Sequence, residues 1–248
     1  MNDLNRDYAR SIPADRADMS VDAGLRSFML GVYNKVALGL LLSAGLAWLT
    51  SSFPPVRDML FTVVNGRVGY SVLGMVIAFA PLGILLFSSF VMKSITPRTA
   101  GIIYWTIVSL IGASLGTVVL LYTGASVFTT FMITATAFGA LSLVGYTTKK
   151  DLTGFGSFLI VGLVGLILAS LVAVFFPSPI LVFAINAIGV LIFAGLIAYD
   201  TQNLKMTYYE VGGDAAASAV ATNYGALNLY LDFINLFRFL LFFLGDRR

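Results

Sequence analysis

Residues 152–199 read LTGFGSFLIVGLVGLILASLVAVFFPSPILVFAINAIGVLIFAGLIAY, 48 residues without a charged side chain. One spanning helix needs about 20 apolar residues, so this run holds two. The break falls at Pro177-Ser178-Pro179. Proline cannot continue a helix, and it pushes the residue before it out of helical geometry. The two halves are therefore predicted to be antiparallel membrane helices joined by a short turn.

The same logic works outward along the chain. Thr99–Thr148 is uncharged over 50 residues and breaks best at Tyr122-Thr123-Gly124-Ala125. Val68–Met92 is an uncharged run of 25 residues, one span, with Pro81 inside it as an expected kink. Arg26–Lys35 leads into the uncharged Val36–Ser52, another span in which Lys35 can snorkel to the interface. Tyr224–Leu244 is apolar apart from Asp232 and Arg238, and is a seventh span or a re-entrant segment. The reading is an all-α integral membrane protein with seven transmembrane helices. Residues 1–25 form an N-terminal tail, 26–245 the membrane domain and 246–248 a C-terminal tail.

Composition supports this and excludes much else. Hydrophobic residues make up 58% of the 248, and charged residues 11%, against about 25% in an average soluble domain. Disorder needs the opposite balance. Without a single Cys or His, disulfides, thiolate nucleophiles, Ser-His triads and His-ligated zinc are excluded. The net charge of +3 belongs to helix ends and does not suggest nucleic acid. The polar N-terminus lacks a signal-peptide pattern. With the N-terminus inside, nine Lys/Arg side chains fall on the inner side (Arg6, Arg10, Arg16, Arg26, Lys93, Arg98, Lys149, Lys150, Lys205). Four fall outside (Arg57, Arg67, Arg247, Arg248) if the last helix crosses fully. The N-terminus is thus expected in the cytoplasm. Gly112 and Gly116 form a GxxxG, read as close helix packing.

Ionisable groups within spans are costly and mark function. Asp200 closes the uncharged run, and Asp232 interrupts the last one. Asn228, Asp232 and Asn235 are spaced i, i+4, i+7 and share a helix face, a polar stripe predicted to face the bundle interior. If the sixth helix continues through Gln202 to about Thr207, Asp200 and Asp232 reach similar depths and can meet. Two carboxylates about 4 Å apart repel by about 4 kcal/mol at an effective dielectric near 20. Such a pair shares a proton and, on losing it, separates or takes a cation. Its oxygens suit calcium, so the pair is a candidate pH-sensitive and transient metal site. Tyr199-Asp200 and Gly212-Gly213-Asp214 partly resemble the two aspartate motifs of intramembrane aspartyl proteases. Val211 occupies the place of that motif's first glycine, and the second aspartate sits in a polar loop. No enzyme is expected.

Tyr199-Asp200-Thr201-Gln202, followed by LYLDFINLF at 229–237 and Lys149-Lys150-Asp151-Leu152, resembles the Bax inhibitor (TMBIM) family, in particular its bacterial members. The resemblance covers about residues 25–245. It implies a seven-helix bundle with the last helix central, and a pH-sensing aspartate pair, here Asp200 and Asp232, in a calcium-leak pathway. It also implies a latch at the end of the second helix, where this chain has Lys93, with Arg98 as an alternative. Family members carry a glutamate in the second helix; this one has no acid there. The implied function is a pH-sensitive calcium leak channel in a bacterial inner membrane, with no cofactor and with calcium ions and protons as permeant or sensed species. The alternative is a non-conducting regulator of a membrane-bound ATP-dependent protease, or a stress-survival factor.

Overall fold

The computed structural model describes residues 22–64, 67–91, 95–176 and 178–248. Its helices in chain order are α1 (Ala23–Ser52), α2 (Pro54–Leu60), α3 (Val72–Val91), α4 (Pro97–Ser114), α5 (Gly116–Leu121), α6 (Gly124–Thr147), α7 (Thr153–Phe175), α8 (Pro179–Glu210) and α9 (Ala215–Leu244). Six segments are long and apolar enough to cross a membrane: α1, α4 with α5, α6, α7, α8 and α9. α3 is a shorter apolar helix. The chain is an all-α membrane protein.

The helix ends follow local chemistry. Asp22 caps α1 by accepting from Leu25 N–H at 2.9 Å, and Asp214 caps α9 by accepting from Ala217 N–H at 2.8 Å. Pro179 opens α8, where its missing N–H costs no helical hydrogen bond. The expected break at 122–125 falls at the start of α6, after Tyr122 and Thr123, and that at 177–179 falls between α7 and α8, with residue 177 outside the described residues.

Three details differ from the sequence reading. Residues 61–70 form an antiparallel hairpin, β1 (Phe61–Val64) and β2 (Arg67–Tyr70), so Val68–Tyr70 belongs to a strand and not to the second span. The third span is interrupted at Leu115. The carbonyls near that break are taken up by side chains: Thr50 Oγ1 donates to Ala113 O at 3.1 Å, and Tyr70 OH to Ser114 O at 3.0 Å. Within lipid such substitutes are what make a broken helix tolerable. α9 begins at Ala215, well before Tyr224, because its first turns are alanine-rich and alanine is the best helix former. α9 is one unbroken helix of 30 residues, long and apolar enough to cross a membrane. Beyond its end, Thr123 N–H donates to Asp246 O at 3.0 Å and Arg248 N–H to Leu121 O at 2.9 Å, so it finishes beside the α5–α6 turn.

α9 packs against α8, α1, α4 and α6. α7 leans chiefly on α8, and α3 on α4. A polar seam ties α1, α4 and α9 together. Ser43 Oγ donates to Val108 O at 3.2 Å and lies 2.7 Å from Tyr230 OH. Gly112 makes room for it, since a Cβ there would meet the Ser43 backbone at 2.6 Å. The GxxxG is thus a place of close approach.

Candidate functional site

The site is built where α8 and α9 run antiparallel. Two glycines set their register: Gly225 of α9 lies against Leu204, and Gly189 of α8 against the Phe239 ring. Between those contacts Asp200 faces Asp232 at interaction range, carboxyl to carboxyl. Asp232 is 5% exposed, and its Oδ2 meets no hydrogen-bond donor of the protein. Asp200 is half-buried. α8 does continue past Asp200, to Glu210, as the meeting of the two requires.

Four consecutive residues of α8 engage four different neighbours. Successive helical side chains are about 100° apart, so four in a row look all the way round the helix. Tyr199 lays its ring against Gly156 of α7. Asp200 faces Asp232 of α9. Thr201 Oγ1 donates to Ile197 O at 2.7 Å and to Ser142 Oγ of α6 at 3.3 Å. Gln202 clasps the α6–α7 loop, donating to Lys150 O at 2.8 Å and accepting from Leu152 N–H at 2.8 Å. The Tyr-Asp-Thr-Gln and Lys-Lys-Asp-Leu motifs are therefore two halves of one contact. One turn on, Lys205 is buried and donates to Tyr146 O at 2.6 Å, at the last turn of α6, with its ammonium 4.8 Å over the Tyr146 ring. Burial of a lysine so near a helix C-terminus is explained by the free carbonyls there.

The polar stripe is only partly assembled. Asn228 is exposed, and Asn235 is half-buried and turned back on its own helix, its Nδ2 donating to Leu231 O at 2.9 Å. Of the two latch candidates, Lys93 lies outside the described residues. Arg98 is exposed in the first turn of α4. Lys35 is half-buried on α1, its ammonium 5.7 Å from the Tyr104 ring centre. Among the described residues no three acids cluster as a ready metal cage. A cation at the site would take two carboxylates plus neutral oxygens.

A cavity of about 510 Å³ opens at the end of the bundle that holds the α8–α9 turn, lined among others by Ile95, Pro97, Thr207, Ala217, Ala221 and Tyr224. Ala221, Tyr224, Asn228 and Asp232 climb α9 at intervals of three and four, so the cavity and the buried aspartate share one face of that helix. The Tyr224 hydroxyl on this face meets no hydrogen-bonding partner of the protein. Residue types alone did not single out Tyr224, Tyr230, Ser43 or Gln202. Their only signal was proximity to the two aspartates or a polar atom in an apolar run.

A family model described as inhibitor of apoptosis-promoting Bax1 matches residues 25–248. The chain belongs to the Bax inhibitor family. Similar members of this family include an uncharacterized protein of Caulobacter vibrioides, 70% identical over 100% of both chains. The inner membrane protein YbhL of Escherichia coli is 42% identical over 91% of this chain and 94% of its own. The uncharacterized protein RP147 of Rickettsia prowazekii is 44% identical over 98% of this chain and 99% of its own. Asp200 and Asp232 of this Bax inhibitor family member both lie inside the matched region.

Proposed function

We propose that this protein is a non-enzymatic, pH-sensitive leak pathway for cations, calcium foremost, gated by Asp200 and Asp232. The seven apolar segments form its bundle, with α9 at the centre. It sits in a bacterial inner membrane, with the N-terminus in the cytoplasm. The observation that carries the reading is Asp232, 5% exposed, with an oxygen that meets no donor and a second carboxylate opposite. A buried carboxyl with one oxygen unsatisfied is too costly to keep for packing alone. In the closed state the pair shares one proton. When the proton leaves, repulsion drives the carboxylates apart, and a divalent cation can bridge them before moving on. The cavity below Tyr224 supplies access from the inner side.

The location has support from the relative named as an inner membrane protein. The orientation rests on the inner excess of Lys and Arg. The test is calcium entry into liposomes holding purified protein, read with an internal dye across about pH 6 to 8. Wild-type flux that varies with pH, and Asp232→Asn flux that does not, is the expected result. An Asp232→Asn variant that leaks with the wild-type pH profile would overturn the gate. No flux at any pH from folded protein would overturn the channel and leave the protease-regulator reading.

A further inference from the structure

A second set of polar groups lies on α6, apart from the aspartates. Its buried face carries Ser126, Thr130, Thr134, Phe138 and Ser142, each four residues from the next. The stretch from Ser126 to Ser142 rises about 24 Å at 1.5 Å per residue, most of a hydrocarbon core about 30 Å thick. At one end Ser126 Oγ donates to Asp246 Oδ2 at 3.1 Å, beyond the C-terminus of α9. At the other, Ser142 accepts from Thr201, the residue after Asp200.

The ordinary role of a threonine in a membrane helix is to return its hydroxyl to the carbonyl four residues back. Thr134 does this, donating to Thr130 O at 2.7 Å. Thr130 does not: it is 0% exposed, and its Oγ1 meets no hydrogen-bonding partner of the protein. A valine would fill the same space without that uncompensated polar atom. Something other than packing is therefore served by a hydroxyl at 130. The row has one interruption. The Phe138 ring packs on Phe233 at 5.6 Å between centroids, and Phe233 also meets Phe131 at 5.3 Å. Phe233 is the residue after Asp232. The apolar pair thus stands between the hydroxyls of the outer half and the two aspartates.

We infer that the outward half of the cation path runs along α6, from Asp246 past Ser126, Thr130 and Thr134, with the Phe138–Phe233 pair as its closing plug. This rests on the leak reading above. Hydroxyl oxygens replace part of a cation's hydration shell, and a hydrophobic constriction blocks passage by excluding water. Asp246 stands at the mouth, beside Arg247 and Arg248.

The experiment is the liposome calcium assay with Thr130→Val and Phe138→Ala beside wild type and Asp232→Asn. Thr130→Val, which conserves shape, is expected to keep or raise thermal stability and to lower flux several-fold. Phe138→Ala is expected to raise flux several-fold at the pH where the wild type is closed. If Phe138→Ala does not fold, Phe138→Ser and Phe233→Leu carry the same expectation, and Thr130→Val decides alone. Flux unchanged in Thr130→Val and in the plug variants, with Asp232→Asn still altered, overturns the α6 route and leaves the leak reading standing. A wild type that never conducts overturns both.

Discussion

α7 and α9 look alike in the sequence, each a long apolar helix, yet they occupy opposite situations. In the most apolar stretch of α7 only 11% of residues are buried within the protein; in α9 the share is 50%. α7 is the more hydrophobic of the two and faces outward with Phe158, Val161, Val174 and Phe175 on the surface. α9 carries Asp232 and Tyr230 and buries both. In water the most apolar helix goes inside. In a bilayer lipid solvates apolar surface as well as protein does, and polar groups are what must be hidden. Polarity, not hydrophobicity, therefore goes with the more buried of these two helices.

The contrast can be broken by substitutions that are equivalent on paper. Gly145 of α6 lies against the Ala198 backbone of α8, and a side chain there has nowhere to go. Gly145→Val is expected to cost about 3 kcal/mol, read as a large fall in thermal midpoint in detergent. Gly165→Val on α7, where an added Cβ meets nothing within 4 Å, is expected to change stability by less than about 0.5 kcal/mol. Equal effects at the two glycines would contradict the assignment of inner and outer helices.

A smaller effect lies at the N-terminal end of α1. The Leu25 N–H bonded to Asp22 holds that carboxyl below its ordinary value, with burial opposing and Gly24, Tyr208 and Tyr209 adding to the lowering. Tyr208 OH of α8 donates to it at 3.3 Å. A carboxyl depressed in the folded state stabilises above its unfolded pKa, and that support is lost as pH falls through the folded one. Asp22→Ala is expected to cost about 1 kcal/mol at neutral pH. The difference from wild type should shrink in acid; a difference that grows as pH falls would contradict the cap.

Tyr230→Phe removes the hydroxyl 2.7 Å from Ser43 and is expected to cost about 0.6 kcal/mol, the average for such bonds between membrane helices. The smallest structural change is Asn228→Cys, made in a chain that has no cysteine of its own. Position 228 is exposed and shares its helix face with the cavity. A charged thiol reagent added from the inner side should label it, and a cysteine at Val161 of α7 should react only with a lipid-soluble one. The reverse pattern would place water on the wrong helix.

The uncharged runs made most of the spans legible, since a single proline pair or a turn of small polar residues is enough to divide them. The Leu115 break was not legible, because Thr50 and Tyr70, which make it tolerable, come from distant segments. Nor was the hairpin: Phe61–Tyr70 has the alternation of a short strand pair, but its apolar end merges with the following helix. Asp200 and Asp232 could be paired by depth alone. The three-residue polar stripe was overread, because equal spacing on a helix does not decide which members face a neighbour: Asp232 does and Asn228 does not. Lys205 counted as an inner charge by sequence, and its burial against Tyr146 depends on where α6 ends.

The central claim is that Asp200 and Asp232 act as one gate. It is tested most directly by the pH profile of calcium flux for Asp200→Asn, Asp232→Asn and the double variant in the same liposomes. Groups that work as a unit give non-additive effects. Each single variant should lose the pH dependence, and the double variant should match them. Independent effects that multiply in the double variant, or a pH dependence that survives in it, would contradict the account.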